Sequence, residues 1–409
     1  MNRNEIERRF AAVAVGGLNV QRGQSLAIKM EPEQIDIASI VADEAYRQGV
    51  RYVDIWPESS RFLRSRIDMS APDDLKYMPE YRIARNEEFL RDKWALLSLK
   101  APVDLSVLSG IDAGRAGVLN GTVAQTDASL RRALAADHTQ WLVMAPPAPA
   151  WASAILGVSD GENALTRMWE LLVPILRLDA PDPVQFWRDY GAVLEERSAR
   201  LDELAIATLR FEDTGTDLIV PLHERARWIG GGGMTRDGVR FNANIPSEEV
   251  FTAPYAPGVS GRVAVTRPVR VFGGLVKGGW FQFTDGEVTD FGADEGREFL
   301  DAFLSVDAGS RGIGEIALVD ASSPIYRSGV VFQNILYDEN AACHFALGSA
   351  YPTCLEGGAD LSDEELVRLG SNRSAQHLDF MLGSDDIDVT ATTRDGATVP
   401  VIRKGSFVL

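Results

Sequence analysis

Four short apolar runs, Ser25–Met30, Arg51–Trp56, Trp94–Leu99 and Trp141–Met144, most strongly limit what this chain can fold into. Each reads as one buried strand. Between the first two lies Ile35–Gly49, with apolar residues at helical spacing and Gly49 as a fitting stop. Strand, helix, strand in that order implies βαβ units and a mainly parallel sheet. Two further helical stretches follow, around Asn163–Leu176 and Pro183–Leu204.

Beyond about residue 208 the rhythm changes. The stretches TDLIVPL, GRVAVT, PVRVFGGLVKGGWFQF and EVTDF are short, β-rich and punctuated by Gly and Asp, a pattern of antiparallel sheet. Arg297–Phe303 and Glu364–Leu369 read as helices, the latter opened by a capping box of Ser362 and Glu365. The expected architecture is an α/β domain over 1–208 with a mainly parallel sheet. An α+β domain over 209–409, rich in antiparallel strands, follows it. A length of 409 residues suits two or three domains.

Composition removes several function classes. The net charge of −18 opposes nucleic-acid binding, which needs a basic face, and disfavours an anionic membrane surface. Two cysteines, Cys343 and Cys354, make neither a disulfide framework nor a four-thiolate zinc site. The start, MNRNEIERRF, has no apolar core of a signal peptide. Thr139–Ser159 is uncharged and long enough to span a bilayer, but Pro146, Pro147 and Pro149 favour a strand, a loop and a helix start. These features together predict a reduced, cytoplasmic location.

Some apparent motifs carry little. Gly230–Gly233 lacks the strand, helix and lysine of a phosphate loop, so a flexible hairpin or lid is the better reading. Asn372-Arg373-Ser374 matches a glycosylation site by chance, and His138 and His223 each stand alone without a nearby pattern of acids, the mark of surface or structural histidines.

The remaining histidines sit in richer company. His377 and Asp379 are two apart, so on a strand they share a face. Glu248 and Glu249 are adjacent, so on a strand only one points inward. Asp338 reads as the N-cap of a helix to Leu347 with Gly348 as its stop, which places His344 mid-helix. Glu339 then lies about 140° around that helix from His344 and is the weakest ligand candidate by spacing. Each feature alone has an ordinary explanation in packing or solvated charge.

Taken in order, Asn244-Ile245-Pro246-Ser247-Glu248-Glu249-Val250-Phe251-Thr252, Gly314-Glu315-Ile316-Ala317-Leu318, Asp338-Glu339-Asn340-Ala341-Ala342-Cys343-His344 and His377-Leu378-Asp379 form one pattern. It resembles the thermophilic metallo-aminopeptidase family from Asn244 to the C-terminus, and more loosely before that. The resemblance implies that Glu249, Glu315, His344, His377 and Asp379 ligate metal, with Glu339 as a ligand or close partner. It implies a homodimer, and it makes Tyr351 the tyrosine near the reacting carbonyl. Three carboxylates and two imidazoles suit two divalent cations of zinc, cobalt or manganese. The expected substrates are peptides with a free N-terminus. Glu315, or alternatively Glu339, is expected to handle the proton of the attacking water. A rival reading takes His344, His377 and Asp379 alone as the facial triad of a non-haem iron ring-cleaving dioxygenase. Glu249 and Glu315 would then have no purpose. A non-catalytic scaffold would show eroded ligand positions, and these are intact.

Overall fold

The four apolar runs become β1 (Ser25–Met30), β2 (Tyr52–Pro57), β3 (Ala95–Leu99) and β4 (Trp141–Met144) of one parallel sheet, ordered β2-β1-β3-β4. The computed structural model describes residues 1–409, the side chain of Ala113 excepted. β3 is buried along its whole length and β1 nearly so, as expected of inner parallel strands covered on both faces. The edge strand β2 is largely open. A helix follows β1 from Ile35 to Arg47, and Gly49 beyond it takes a left-handed φ of 92°. The uncharged Thr139–Ser159 stretch resolves into β4, a loop and the helix Pro149–Leu156, with proline in the first turn. Among the described residues, no helix is long and apolar enough to cross a membrane.

The remaining strands are β5 (Ile206–Asp213), β6 (Thr216–Pro221), β7 (Ile229–Gly230), β8 (Gly233–Met234), β9 (Arg240–Phe241), β10 (Glu249–Thr252) and β11 (Ser260–Ala264). They continue with β12 (Val269–Val271), β13 (Gly274–Val276), β14 (Trp280–Thr284), β15 (Glu287–Gly292), β16 (Ile313–Val319) and β17 (His344–Gly348). The chain ends with β18 (His377–Met381), β19 (Asp388–Thr393), β20 (Thr398–Arg403) and β21 (Ser406–Phe407). Most join two antiparallel sheets, ordered β15-β14-β11-β6-β5-β19-β20-β21 and β18-β17-β16-β10-β7. The α/β half with a parallel sheet and the antiparallel half are thus as expected.

Two compact units emerge, Met1–Asp189 with Gly232–Pro246, and Tyr190–Gly231 with Ser247–Leu409. Gly232–Pro246 belongs to the first because Asn244 bridges Val143 in parallel, extending the sheet beyond β4. The four glycines are therefore no free hairpin. Gly230 pairs in β7, and Gly233 pairs with Phe241. Gly231 has φ +84°, and a Cβ there would lie 2.1 Å from the Gly191 carbonyl, so close backbone approach explains its lack of a side chain.

In the second unit the two large sheets share one core. Phe281 of β14 meets Phe345 of β17 at 5.8 Å and Phe380 of β18 at 5.0 Å, both edge-on. Val250, Ile316, Leu318, Phe345, Leu347 and Phe380 supply the five-stranded sheet's apolar face to this core. Val250, Ile316, Phe345 and Phe380 neighbour Glu249, Glu315, His344 and Asp379 in sequence, and strand alternation sends those candidates to the opposite face.

The expected helix over 338–347 does not form. A short helix, Ile335–Asp338, and a 3-10 turn, Glu339–Ala341, lead directly into β17. Asp338 faces backwards, accepting N–H bonds from Phe332 (2.8 Å) and Asn334 (3.1 Å), and so caps nothing downstream. His344 is the first residue of a central strand, paired with Ala317 on one side and Met381 on the other.

Candidate metal centre

The polar face of the five-stranded sheet is assembled by register. Glu315 of β16 lies opposite Ala346, and Ala346 lies opposite Asp379 of β18, so one small residue separates two carboxylates. His377 lies opposite Gly348. Gly348 has φ +108°, and a Cβ there would fall 2.2 Å from the Gln376 carbonyl. Glu249 opens β10. Small residues between the polar ones leave room above the sheet for an ion.

Two groups of side chains converge there, Glu249 with Glu315 and His344, and Glu315 with His377 and Asp379. Glu315 belongs to both. Its Oε1 lies 3.6 Å from His344 Nε2, and its Oε2 lies 3.7 Å from His377 Nε2. His377 Nε2 is also 3.6 Å from Asp379 Oδ1. His344, Glu249, Glu315 and Asp379 are buried, and His377 is partly open.

The arrangement passes a test for cation binding. Glu249 Oε2 and His344 Nε2 are 3.0 Å apart, yet both are buried without a hydrogen-bond partner. Such orphaned atoms are costly unless something else satisfies both, and a cation accepts from both. The other ring nitrogens are occupied: His344 Nδ1 meets the Ala342 carbonyl at 3.2 Å and His377 Nδ1 meets that of Ser349 at 2.8 Å. A donor Nδ1–H in each leaves the Nε2 lone pair aimed into the site, the usual orientation of a metal-binding imidazole.

The electrostatics agree. Burial, with the fields of Asp379 and Glu249, lifts the Glu315 carboxyl above its ordinary value despite the opposing contact with His344. Burial and the surrounding carboxylates lift Glu339 well above it. Burial alone would lower both imidazoles, but Glu249 and Glu315 raise His344 well above normal, and Asp379 foremost raises His377 to about 10. Asp379 is held low, because His377 and His344 outweigh its burial. The carboxylates demand positive charge, and protons on the imidazoles supply it where a divalent cation would do so better.

The other candidates fall around this centre. Glu339 stands in the turn before β17, within the fields of Glu249, Asp379, His344 and Glu315 but in neither group. Its expected position far around a helix from His344 is overturned with that helix. Tyr351 is partly exposed as a residue, while its ring packs edge-on at 5.1 Å from His377 and 5.8 Å from Phe251. Burial of its phenol, then the fields of Glu315 and Asp379, push the hydroxyl well above its usual range. Cys343 is buried with its thiol raised to about 11, in keeping with packing. Asn372 donates to the carbonyls of Gly309, Gly312 and Gly348, a role in bracing β16 and β17.

Sequence reasoning missed Phe251, although it lies two residues beyond Glu249 and so shares its face. It also gave Asn340 no role, and it had no signal for the Ala342 and Ser349 carbonyls. The set His344, His377 and Asp379 does not form one group, as an iron facial triad requires.

Such a face, with buried carboxylates and imidazoles converging in two groups that could hold a metal ion, points to the metal-dependent enzymes. A family profile described as Thermophilic metalloprotease (M29) matches residues 3–407. Aminopeptidase 2 of Geobacillus stearothermophilus is 38% identical over 409 residues, covering 100% of this chain and 99% of that protein. Aminopeptidase T of Thermus aquaticus is 34% identical over 393 residues, covering 96% of each. The solved structure of wild-type AmpT from Thermus thermophilus matches with a TM-score of 0.91 at 32% identity, covering 99% of both chains. The chain belongs to the M29 family of thermophilic metalloproteases. Glu249 and Glu315 both stand in the donor groups, where a mononuclear iron oxygenase has no use for them, and the full-length relatives are named aminopeptidases, so the dioxygenase reading falls.

Proposed function

We propose that this metallo-aminopeptidase removes N-terminal amino acids from peptides at a dinuclear centre. Its ligands are Glu249, Glu315, His344, His377 and Asp379, with Glu339 as a sixth ligand or close partner. The class, a metal-dependent hydrolase acting on peptides, follows from family membership. The observation that carries the finer reading is the shared Glu315, which turns one oxygen to each group of donors. A carboxylate so placed suits two cations about 3.5–4 Å apart.

When bound, zinc, cobalt or manganese would supply Lewis acidity, making water a stronger acid and the scissile carbonyl a better electrophile. The chain's own groups do the rest. Ala342 and Ser349 hold the two imidazoles in one tautomer through their carbonyls. Glu315 handles the water's proton, with Glu339 as the alternative. Tyr351 donates to the tetrahedral oxyanion, since its phenol stays protonated at neutral pH. The carboxylate-rich face anchors the substrate's α-ammonium, which makes the enzyme an exopeptidase.

Tyr351→Phe is expected to lower kcat by about 10²–10³-fold, the usual cost of one oxyanion donor, with KM nearly unchanged. Steady-state kinetics on an amino-acid p-nitroanilide check this. A wild-type kcat would remove Tyr351 from the reaction. The function itself is tested by a matched pair on metal-reconstituted protein. Leucyl p-nitroanilide should be cleaved and its N-acetylated form refused. Equal cleavage of both would refute the exopeptidase reading. A homodimer and a cytoplasmic location belong to the same proposal, the latter supported by the free thiols Cys343 and Cys354.

A further inference from the structure

Glu248 precedes a candidate ligand and is itself pinned at two points. Its backbone N–H donates to Asn340 Oδ1 at 2.6 Å, and its carboxylate accepts from the Tyr190 hydroxyl at 2.6 Å. The side chain of Asn340 is fully buried. Its Nδ2 donates to the Leu336 carbonyl at 2.9 Å and, more loosely, to Glu339 Oε1 at 3.4 Å. Its own backbone carbonyl accepts from Ser323 Oγ at 2.7 Å. One amide thus ties the segment entering β10, which delivers Glu249, to the turn entering β17, which delivers Glu339 and then His344.

We propose that Asn340, with Tyr190 bracing the other side of Glu248, is a positioning residue that sets the spacing of Glu249 and Glu339 at the metal centre. The inference rests on the ligand reading above. The bond to the Glu248 N–H fixes the Ser247–Glu248 peptide and the bond from Tyr190 fixes the Glu248 side chain, so the residue just before Glu249 is held at both points and the approach of Glu249 to the site is set. No other residue type of this size serves as well. Leucine would fill the space and leave the buried Glu248 N–H unpaired. Aspartate would keep the acceptor but lose both donor bonds, and would set another carboxylate beside Glu339 where carboxylates already crowd. The neutral amide alone accepts on one side and donates on the other.

The test is titration of the apo protein with cobalt(II), read by visible absorbance, which reports coordination geometry independently of turnover. Asn340→Ala should bind cobalt about tenfold more weakly, as loss of an outer partner of metal ligands does. Its absorbance band should shift, and kcat should fall while KM holds. Tyr190→Phe removes one hydroxyl from the far side of the same brace. It should weaken cobalt binding in the same direction by a smaller factor. A lower melting temperature with wild-type cobalt affinity and spectrum in Asn340→Ala would reduce the residue to packing and overturn the proposal. Should Asn340→Ala fail to fold, Tyr190→Phe decides alone: wild-type affinity there overturns it. The parent protein and Glu249→Ala run beside these. A parent that takes up no cobalt, or a Glu249→Ala variant that binds normally, refutes the ligand reading instead.

Discussion

Glu315→Gln folds as the parent does and loses nearly all hydrolysis. The substitution keeps the shape of a side chain whose neighbours are already tightly set: β16 is buried throughout and paired on both sides. It also removes one of several buried carboxylates that face one another, so nothing in the apo fold is lost. Function is another matter. Each Glu315 oxygen addresses a different donor group, and an amide has one oxygen and an NH2. Whichever way the amide turns, its NH2 faces one imidazole Nε2 and repels a cation from that group. The carboxylate expected to handle the water's proton is lost as well, since an amide is no base at neutral pH. Metal stabilisation of the transition state is worth several kcal/mol, so the loss in kcat is on the order of 10³-fold or more. Elemental analysis should find no more than one tightly held cation per chain. Full activity with two cations would remove Glu315 from both bridge and mechanism.

What the sequence could reveal depended on how local the cause was. The β18 pair was legible because a strand's period of two needs no tertiary knowledge. The N-terminal sheet was legible because β1 and β3 are continuous apolar runs, which only burial on both faces explains. His344 was misread for the converse reason. Its segment, Ala341-Ala342-Cys343-His344-Phe345-Ala346-Leu347, carries good helix formers, and Asp338 imitates a cap. Tertiary demand outweighed that preference. Phe345 and Leu347 go to the core shared with the other large sheet, while His344 and Ala346 turn to the polar face. Only a strand separates them so. The roles of Asn340 and of the Ala342 and Ser349 carbonyls come from residues far apart in sequence or from the backbone. Neither leaves a compositional trace.

Chelation abolishes activity, and cobalt or zinc restores it to a protein that never unfolded. The apo state survives because the donors have a substitute. His377, raised to about 10 by Asp379 and Glu315 against its burial, holds its proton at neutral pH and serves as a counter-charge, and His344 is raised in the same sense. That substitute is weaker than a divalent cation, whose two charges can answer several carboxylates at once. Reloading therefore has a driving force, and it must expel imidazole protons before the Nε2 lone pairs can bind. Titrating the chelated, exchanged protein with zinc in weakly buffered solution near pH 7 should release protons as activity returns. Affinity should fall as the pH is lowered, because the imidazoles then hold their protons against the metal. Circular dichroism should change little across the cycle, since the apolar face of the sheet is untouched by the cations. Peptidase activity that resists exhaustive chelation, or metal uptake with no proton release, would mean that the donors on this face are not where the cations act.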